Sequence, residues 1–534
     1  MKQPPAACVI GVDIGTQSTK AVLVRADGQI LAQSSQAYQV ETPKPLWAQQ
    51  WPDVWLDAVV ACIKGVLAQV APAQAAIKSI CVSSLYGGSG IPVDAEGKAL
   101  YPCLIWMDRR AQDEVRWVRD NVDLERLFHI TGNGVDSYYG YTKMLWLREK
   151  EPVVWAKTRQ FLPPNSYVNA RLTGEVAVDH SSAGNIGGVY DVAQRGWSAE
   201  ALQMLGIPQS MMPARLVASS EVVGGLLPAW AERLGLPAGT PVVAGGVDAA
   251  VATLAAGAAQ PGNHVAMVGT SMCWGTIRPS VDARHGLISM PHVFNGDSNG
   301  PKDLYVFGGA ISAGASVTWF RETFCQAEIA AGKTLGVDPH SLLEKDAAPL
   351  PPGSDGILFL PYLMGERSPI WDAQASGAFV GLGLHHGRAH LYRAVLEGVG
   401  FALRHNIEAG LRGMGTLDHR LVVVGGASHS DLWMQIMADI TGRPVFTLAE
   451  DVEASLGAAL LAAYGVGLID ADAVRKGWVT PVLRAEPNPE AHAAYNDLFA
   501  QYVDLYPALK PAMHRLRPPG PSRPPTHSPG DPPT

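Results

Sequence analysis

The chain has 534 residues, too many for one hydrophobic core and enough for roughly two to four domains. With 47% hydrophobic and 17% charged residues it reads as a folded globular protein. Its net charge of -8, with no polybasic stretch, argues against a nucleic-acid partner and for a small molecule. The six cysteines are scattered with no C-x-x-C pair, so neither a zinc site nor a disulfide framework is expected. The first residues reach Asp13 before a signal-length apolar core develops, and no segment is apolar for long enough to span a bilayer. A cytoplasmic protein without a membrane partner is the expectation.

In chain order, residues 9–12, 21–24 and 30–34 read as consecutive strands, with Asp27-Gly28 as the tight turn between the last two. A helix is predicted over 55–70, where Leu56, Val59, Val60, Ile63 and Leu67 recur at helical spacing after Pro52-Asp53. Residues 77–83 return as a buried strand, which completes an α/β unit. A polar, aromatic-rich middle runs to about Gly196 and contains Asp136-Ser-Tyr-Tyr-Gly-Tyr141. The second half opens with a strand at Pro241 leading into Gly245-Gly-Val-Asp248. A second hairpin follows from His264, then helices over 390–405 and from Leu432, with the strand Leu421-Val-Val-Val424 between them. The domain boundary is placed just before Asp248, giving domains 1–245 and 246–505. Residues 506–534, proline-dense from Pro518, are read as a disordered tail.

Two hairpins are built alike. Val-Asp13-Ile-Gly15-Thr16-Gln17-Ser18-Thr19 and Val-Gly269-Thr270-Ser271 each set glycine and hydroxyl residues at the tip between two apolar runs. Such tips offer backbone N–H groups and hydroxyls to a polyphosphate from two sides. Asp13, at the end of a buried strand, is suited to hold hydrated Mg²⁺. A turn aspartate in an ordinary hairpin is the plainer alternative, and the second copy weighs against it. The junction Gly425-Gly426-Ala427-Ser428 leads from strand to helix through a surface free of side chains, suited to a ribose or adenine ring. Asp248 either accepts a hydroxyl proton at the cleft or caps the Ala-rich helix after it. Trp106 and Asp108, with Arg109-Arg110, offer a flat face, an acceptor and donors to a polyhydroxylated ligand. Gly365-Glu-Arg-Ser-Pro369 reads as a rigid turn pinned by a Glu/Arg pair.

With these features in this order, the chain resembles the FGGY carbohydrate kinases, and among them most the xylulokinase-type members. The likeness runs from about Val9 to Gly467. It is carried by V-D-I-G-T-Q-S-T-K, L-P-Y-L-M-G-E-R-S-P (360–369), R-A-V-L-E-G-V-G-F-A-L (393–403) and V-V-G-G-A-S-H-S-D-L-W-M-Q-I-M-A-D-I-T-G (423–442). The resemblance implies two actin/hexokinase-like (ribonuclease H-like) α/β ATPase domains around a cleft. It implies Mg-ATP as phosphoryl donor, with Gly314 added to the nucleotide set, and Asp248 as base. The expected acceptor is a small sugar, most of all a pentulose such as xylulose, with ribulose, a tetrulose or a tetritol as alternatives. A chaperone- or filament-like ATPase is the remote rival, and a homodimer is the assembly considered. Ser84-Leu85-Tyr86-Gly87 stands where xylulokinases usually carry Gln-Met-His-Gly, and Asp248-Ala249 where they carry Asp-Asn. Tyr86 is therefore expected to reshape the sugar end.

Overall fold

The computed structural model describes residues 5–71, 74–279, 286–296, 303–412, 416–448 and 454–516. The tail expected from Pro518 lies outside them.

The first sheet has six strands: β1 (Ala6–Ile14), β2 (Ser18–Arg25), β3 (Ile30–Ala37), β4 (Ala75–Ser84), β5 (Val222–Gly225) and β6 (Pro241–Val243), in the order β5-β6-β4-β1-β2-β3. β1 to β3 form an antiparallel meander, while β4 and β6 add in parallel on the other side of β1. The second sheet has seven: β7 (His264–Val268), β8 (Met272–Arg278), β9 (Ile288–Pro291), β10 (Leu304–Gly308), β11 (Leu421–Val424), β12 (Val445–Leu448) and β13 (Pro481–Ala485). Their order is β9-β10-β8-β7-β11-β12-β13. Here too an antiparallel β7-β8-β10 run is extended by parallel β11 and β12, and each sheet ends in an antiparallel edge strand. The two halves share one core topology, which is why their hairpin tips look alike in sequence. The apolar runs of β1, β4, β7 and β11 are buried on both faces, as parallel strands covered by helices require.

The helices that position the site are α1 (Pro52–Leu67), α2 (Gly140–Lys150), α3 (Asp248–Ala255), α4 (Gly314–Phe324), α5 (Pro339–Ala347), α6 (Arg388–Leu411), α7 (Asp431–Thr441), α8 (Ala454–Gly465) and α9 (Pro489–Leu516). α8 lies in sequence between β12 and β13 of the second sheet yet packs on β1 of the first: a Cβ at Gly11 would fall 2.0 Å from the Ser455 carbonyl oxygen. On its other side α8 meets α3, where a Cβ at Gly457 would stand 2.1 Å from the Val251 carbonyl. Glycine is needed at both places for three backbones to stack this closely. α9 corrects the expected start of the tail. Residues 506–516 are helical, Met513 is buried and Tyr506 and Leu509 lie against the second-half core. Pro507 and Pro511 sit inside this helix, which a proline normally interrupts.

Candidate active site

Three parallel strands deliver the central carboxylates. β1 ends at Asp13-Ile14, β4 at Ser83-Ser84, and the chain after β6 runs beside them, with the Ser84 N–H donating to the Gly246 carbonyl at 3.0 Å. Asp13 accepts from the Ser83 hydroxyl at 2.9 Å. Asp248 is half-buried as the first residue of α3, and its Oδ1 accepts the N–H of Ala249 at 2.7 Å. Burial, and then the charge of nearby Asp13, hold the Asp248 carboxyl well above the usual carboxylate range. Two like-charged oxygen donors converging at strand ends form a site that a divalent cation would relieve, so the donor chemistry fits Mg²⁺ held by Asp13.

The two tips stand as expected at the ends of β1 and β7, each three residues long, 15–17 and 269–271. The Gly15 N–H closes on Ser18 O and the Gly269 N–H on Ser271 O, both at 2.9 Å. Gly314 begins α4 against the second tip: its N–H donates to Gly269 O at 2.9 Å, and a Cβ there would come 2.5 Å from that oxygen. Beyond it opens a cavity of about 410 Å³. Gly269, Thr270, Gly314, Gly426 and Ala427 line it together with Tyr392, Trp433, Val317 and Glu344. It has the mixed apolar and polar wall of a small-ligand site.

Several expected contacts are corrected. Thr19 belongs to β2, is fully buried, and shares its hydroxyl with the Tyr38 phenol at 3.2 Å. The Ser428 hydroxyl donates to Gly425 O at 2.8 Å within its own turn. Asp108 is fully buried; Oδ2 accepts from Ala48 N (2.7 Å) and Arg110 Nε (2.8 Å), and Oδ1 from Arg110 N (3.0 Å). Both of its oxygens are thus engaged in folding the loop. Trp106 donates from its indole N–H to the Thr16 hydroxyl at 3.1 Å, tying the expected sugar segment to the first tip. Gln17 is exposed and Ser18 half-buried at that tip. The buried Tyr86 hydroxyl accepts the Gly140 N–H at 2.6 Å at the start of α2, and its ring meets Tyr138 at 4.8 Å. The Tyr86 hydroxyl is therefore committed to the fold.

Beneath this aromatic wall lies Lys143, fully buried, with Nζ donating to the carbonyls of Ile105 (2.7 Å) and Tyr138 (3.1 Å). Desolvation brings its ammonium down to about 7. Between there and the usual lysine range the unfolded chain binds more protons than the native one. Stability from this group therefore rises with pH across that window, by up to about 1.4 kcal/mol per pH unit. Lys143→Met is expected to flatten the rise in urea midpoint between pH 7 and 9.5, and parallel wild-type and variant curves would refute this.

The duplicated sheets, the paired tips and the strand-end carboxylates define a two-domain phosphotransferase of the actin/hexokinase type. Residues 8–255 match the N-terminal domain, and residues 264–466 the C-terminal domain, of the FGGY family of carbohydrate kinases, and the chain belongs to that family. It is 31% identical to a xylulose kinase of Lactococcus lactis, with 95% of this chain and 98% of that protein covered, and 31% identical to a gluconokinase of Bacillus licheniformis (94% and 96%). Among solved structures it is similar to the xylulose kinase of Rhodospirillum rubrum at a TM-score of 0.86, with 32% identity and 95% and 100% of the two chains covered. It is an ATP-dependent carbohydrate kinase. No described helix is long and apolar enough to cross a membrane.

Proposed function

We propose that this kinase transfers the γ-phosphoryl of ATP to a terminal hydroxyl of a small ketose, a pentulose above all. The observation that carries this reading is the pair of phosphate-type tips at the ends of β1 and β7, with Asp248 near enough to Asp13 to feel its charge and an adenosine-sized cavity against the second tip. The relatives' named substrates favour a xylulose-like sugar. The departures at Tyr86 and Ala249 favour a hydroxyl pattern of its own.

A sugar hydroxyl is far too weak an acid for a carboxylate to ionise in advance. Asp248 orients it and takes its proton late, as the hydroxyl oxygen bonds to γ-phosphorus and ADP leaves with the bridging oxygen. Asp13 would hold Mg²⁺, whose part is to neutralise phosphate charge. The backbone N–H groups of 16–18 and 270–271 and the Thr16 and Thr270 hydroxyls hold the phosphates, and Gly314, Gly426 and Ala427 the nucleoside. Free thiols at all six cysteines fit a cytoplasmic location.

Coupled ADP release across ketoses, aldoses, polyols and aldonates tests the reading: ADP must appear only with an acceptor. Asp13→Ala is expected to raise KM for Mg-ATP at least about tenfold while calorimetric sugar affinity holds. ADP release indifferent to sugar would overturn the kinase assignment.

A further inference from the structure

Glu366 and Arg367, expected to pin a turn by pairing with each other, do not pair. Glu366 is buried and accepts two backbone N–H groups, from Ile311 at 3.1 Å and from Arg367 at 2.7 Å. Arg367 is only 9% exposed, yet its guanidinium donates to no acceptor among the described residues, and its Nε is fully enclosed. It stands over the Tyr138 ring, 6.0 Å from the centroid. Its charge and that of Asp248 both reach the Tyr138 hydroxyl and the Cys273 thiol, with opposite effects. Arg367 and Asp248 thus both lie in the neighbourhood of Tyr138 and Cys273. Asn185 is fully buried, with its side-chain amide at the Tyr138 hydroxyl.

A buried guanidinium without a partner is expensive, and a ligand that pairs with it recovers the cost. Arginine has five donors and no acceptor, so its complement is an oxygen that only accepts: a carbonyl, a carboxylate or a phosphate. Arg367, Tyr138 and Asn185 all lie outside the lining of the nucleotide cavity, and Tyr138 meets Tyr86 in a tilted contact at the expected sugar end. Their place apart from the nucleotide cavity favours the acceptor over the nucleotide.

We propose that Arg367, with Asn185 beside it, is an acceptor-binding residue that grips a carbonyl or carboxylate oxygen away from the phosphorylated hydroxyl. The enzyme thereby selects ketoses or aldonates over polyols. The proposal rests on the carbohydrate-kinase reading of the same cleft and goes past it in naming the feature the acceptor must carry.

The test compares D-xylulose, xylitol and D-xylonate with the full-length protein, by turnover and by calorimetric binding. In the wild type xylitol should be weaker than the better of the other two by about tenfold or more, the scale of a charge-assisted hydrogen bond. Arg367→Gln should erase that gap while KM for ATP stays within about twofold. Asn185→Ala, a milder change, should narrow it. A larger loss for xylonate identifies a carboxylate as the partner, and a larger loss for xylulose a ketone; either supports the proposal. A gap that persists in Arg367→Gln, or a KM for ATP that rises alike with all three acceptors, overturns it, the second placing the guanidinium on the γ-phosphoryl. Wild-type protein that binds and phosphorylates sugars without discriminating against xylitol overturns it and leaves the kinase reading intact. No phosphorylation of any sugar overturns both.

Discussion

Asp248→Asn is expected to lower turnover by about 10²–10⁴-fold, the usual range for losing a general base, and at the same time to stabilise the ligand-free protein at neutral pH. The second effect follows from the carboxyl's burial beside Asp13, which raises its folded-state pKa above the unfolded value. The native state then keeps a proton that the unfolded chain releases, so stability falls as pH rises through the interval between the two values. Asparagine carries no such burden and can still accept the Ala249 N–H. The advantage of the variant in melting temperature should therefore widen from pH 4 to pH 7.5 in the presence of a chelator. Coupled turnover and scanning calorimetry together decide the matter. Near-normal turnover with a pH-independent stability difference would reduce Asp248 to the start of α3.

Gly314→Ala is expected to damage ATP use selectively. The added methyl would meet the Gly269 carbonyl at 2.5 Å, a backbone atom that can yield only by moving the whole second tip. A displacement of about 1 Å at a reacting group can cost about 10²-fold in rate. KM for ATP should rise at least about tenfold while acceptor KM stays within about twofold. Equal ATP kinetics in a variant that melts like the wild type would show that the tip does not hold the nucleotide.

The hairpins, the strand order around them and the two carboxylates were legible because buried strands ending in Gly-Thr tips impose their own local pattern. The adenosine-sized cavity was legible only on its glycine side. Its other wall comes from Val317, Glu344, Tyr392 and Trp433, on four separate helices, and residues chosen for shape leave no motif. Arg367 was misread for a related reason. Adjacency of Glu366 and Arg367 implies an ion pair, but only the tertiary fold shows the Ile311 N–H capturing the glutamate and turning the arginine loose. Asp108 and Tyr86 have the right chemistry for a sugar, and buried partners sixty and fifty-four residues away engage it. The aromatic run at 136–141 drew no role from sequence although Tyr138 meets Tyr86, since tyrosines at such spacing serve cores equally well.

The glycine stack at Gly11 and Gly457 has a mechanical consequence. Where β1, α8 and α3 touch, main chain lies on main chain, and few large side chains have to change rotamer when one layer slides over the next. Any larger residue at Gly11 or Gly457 would therefore have to lever whole backbones apart, and the damage would pass along β1 to the strand end that carries Asp13.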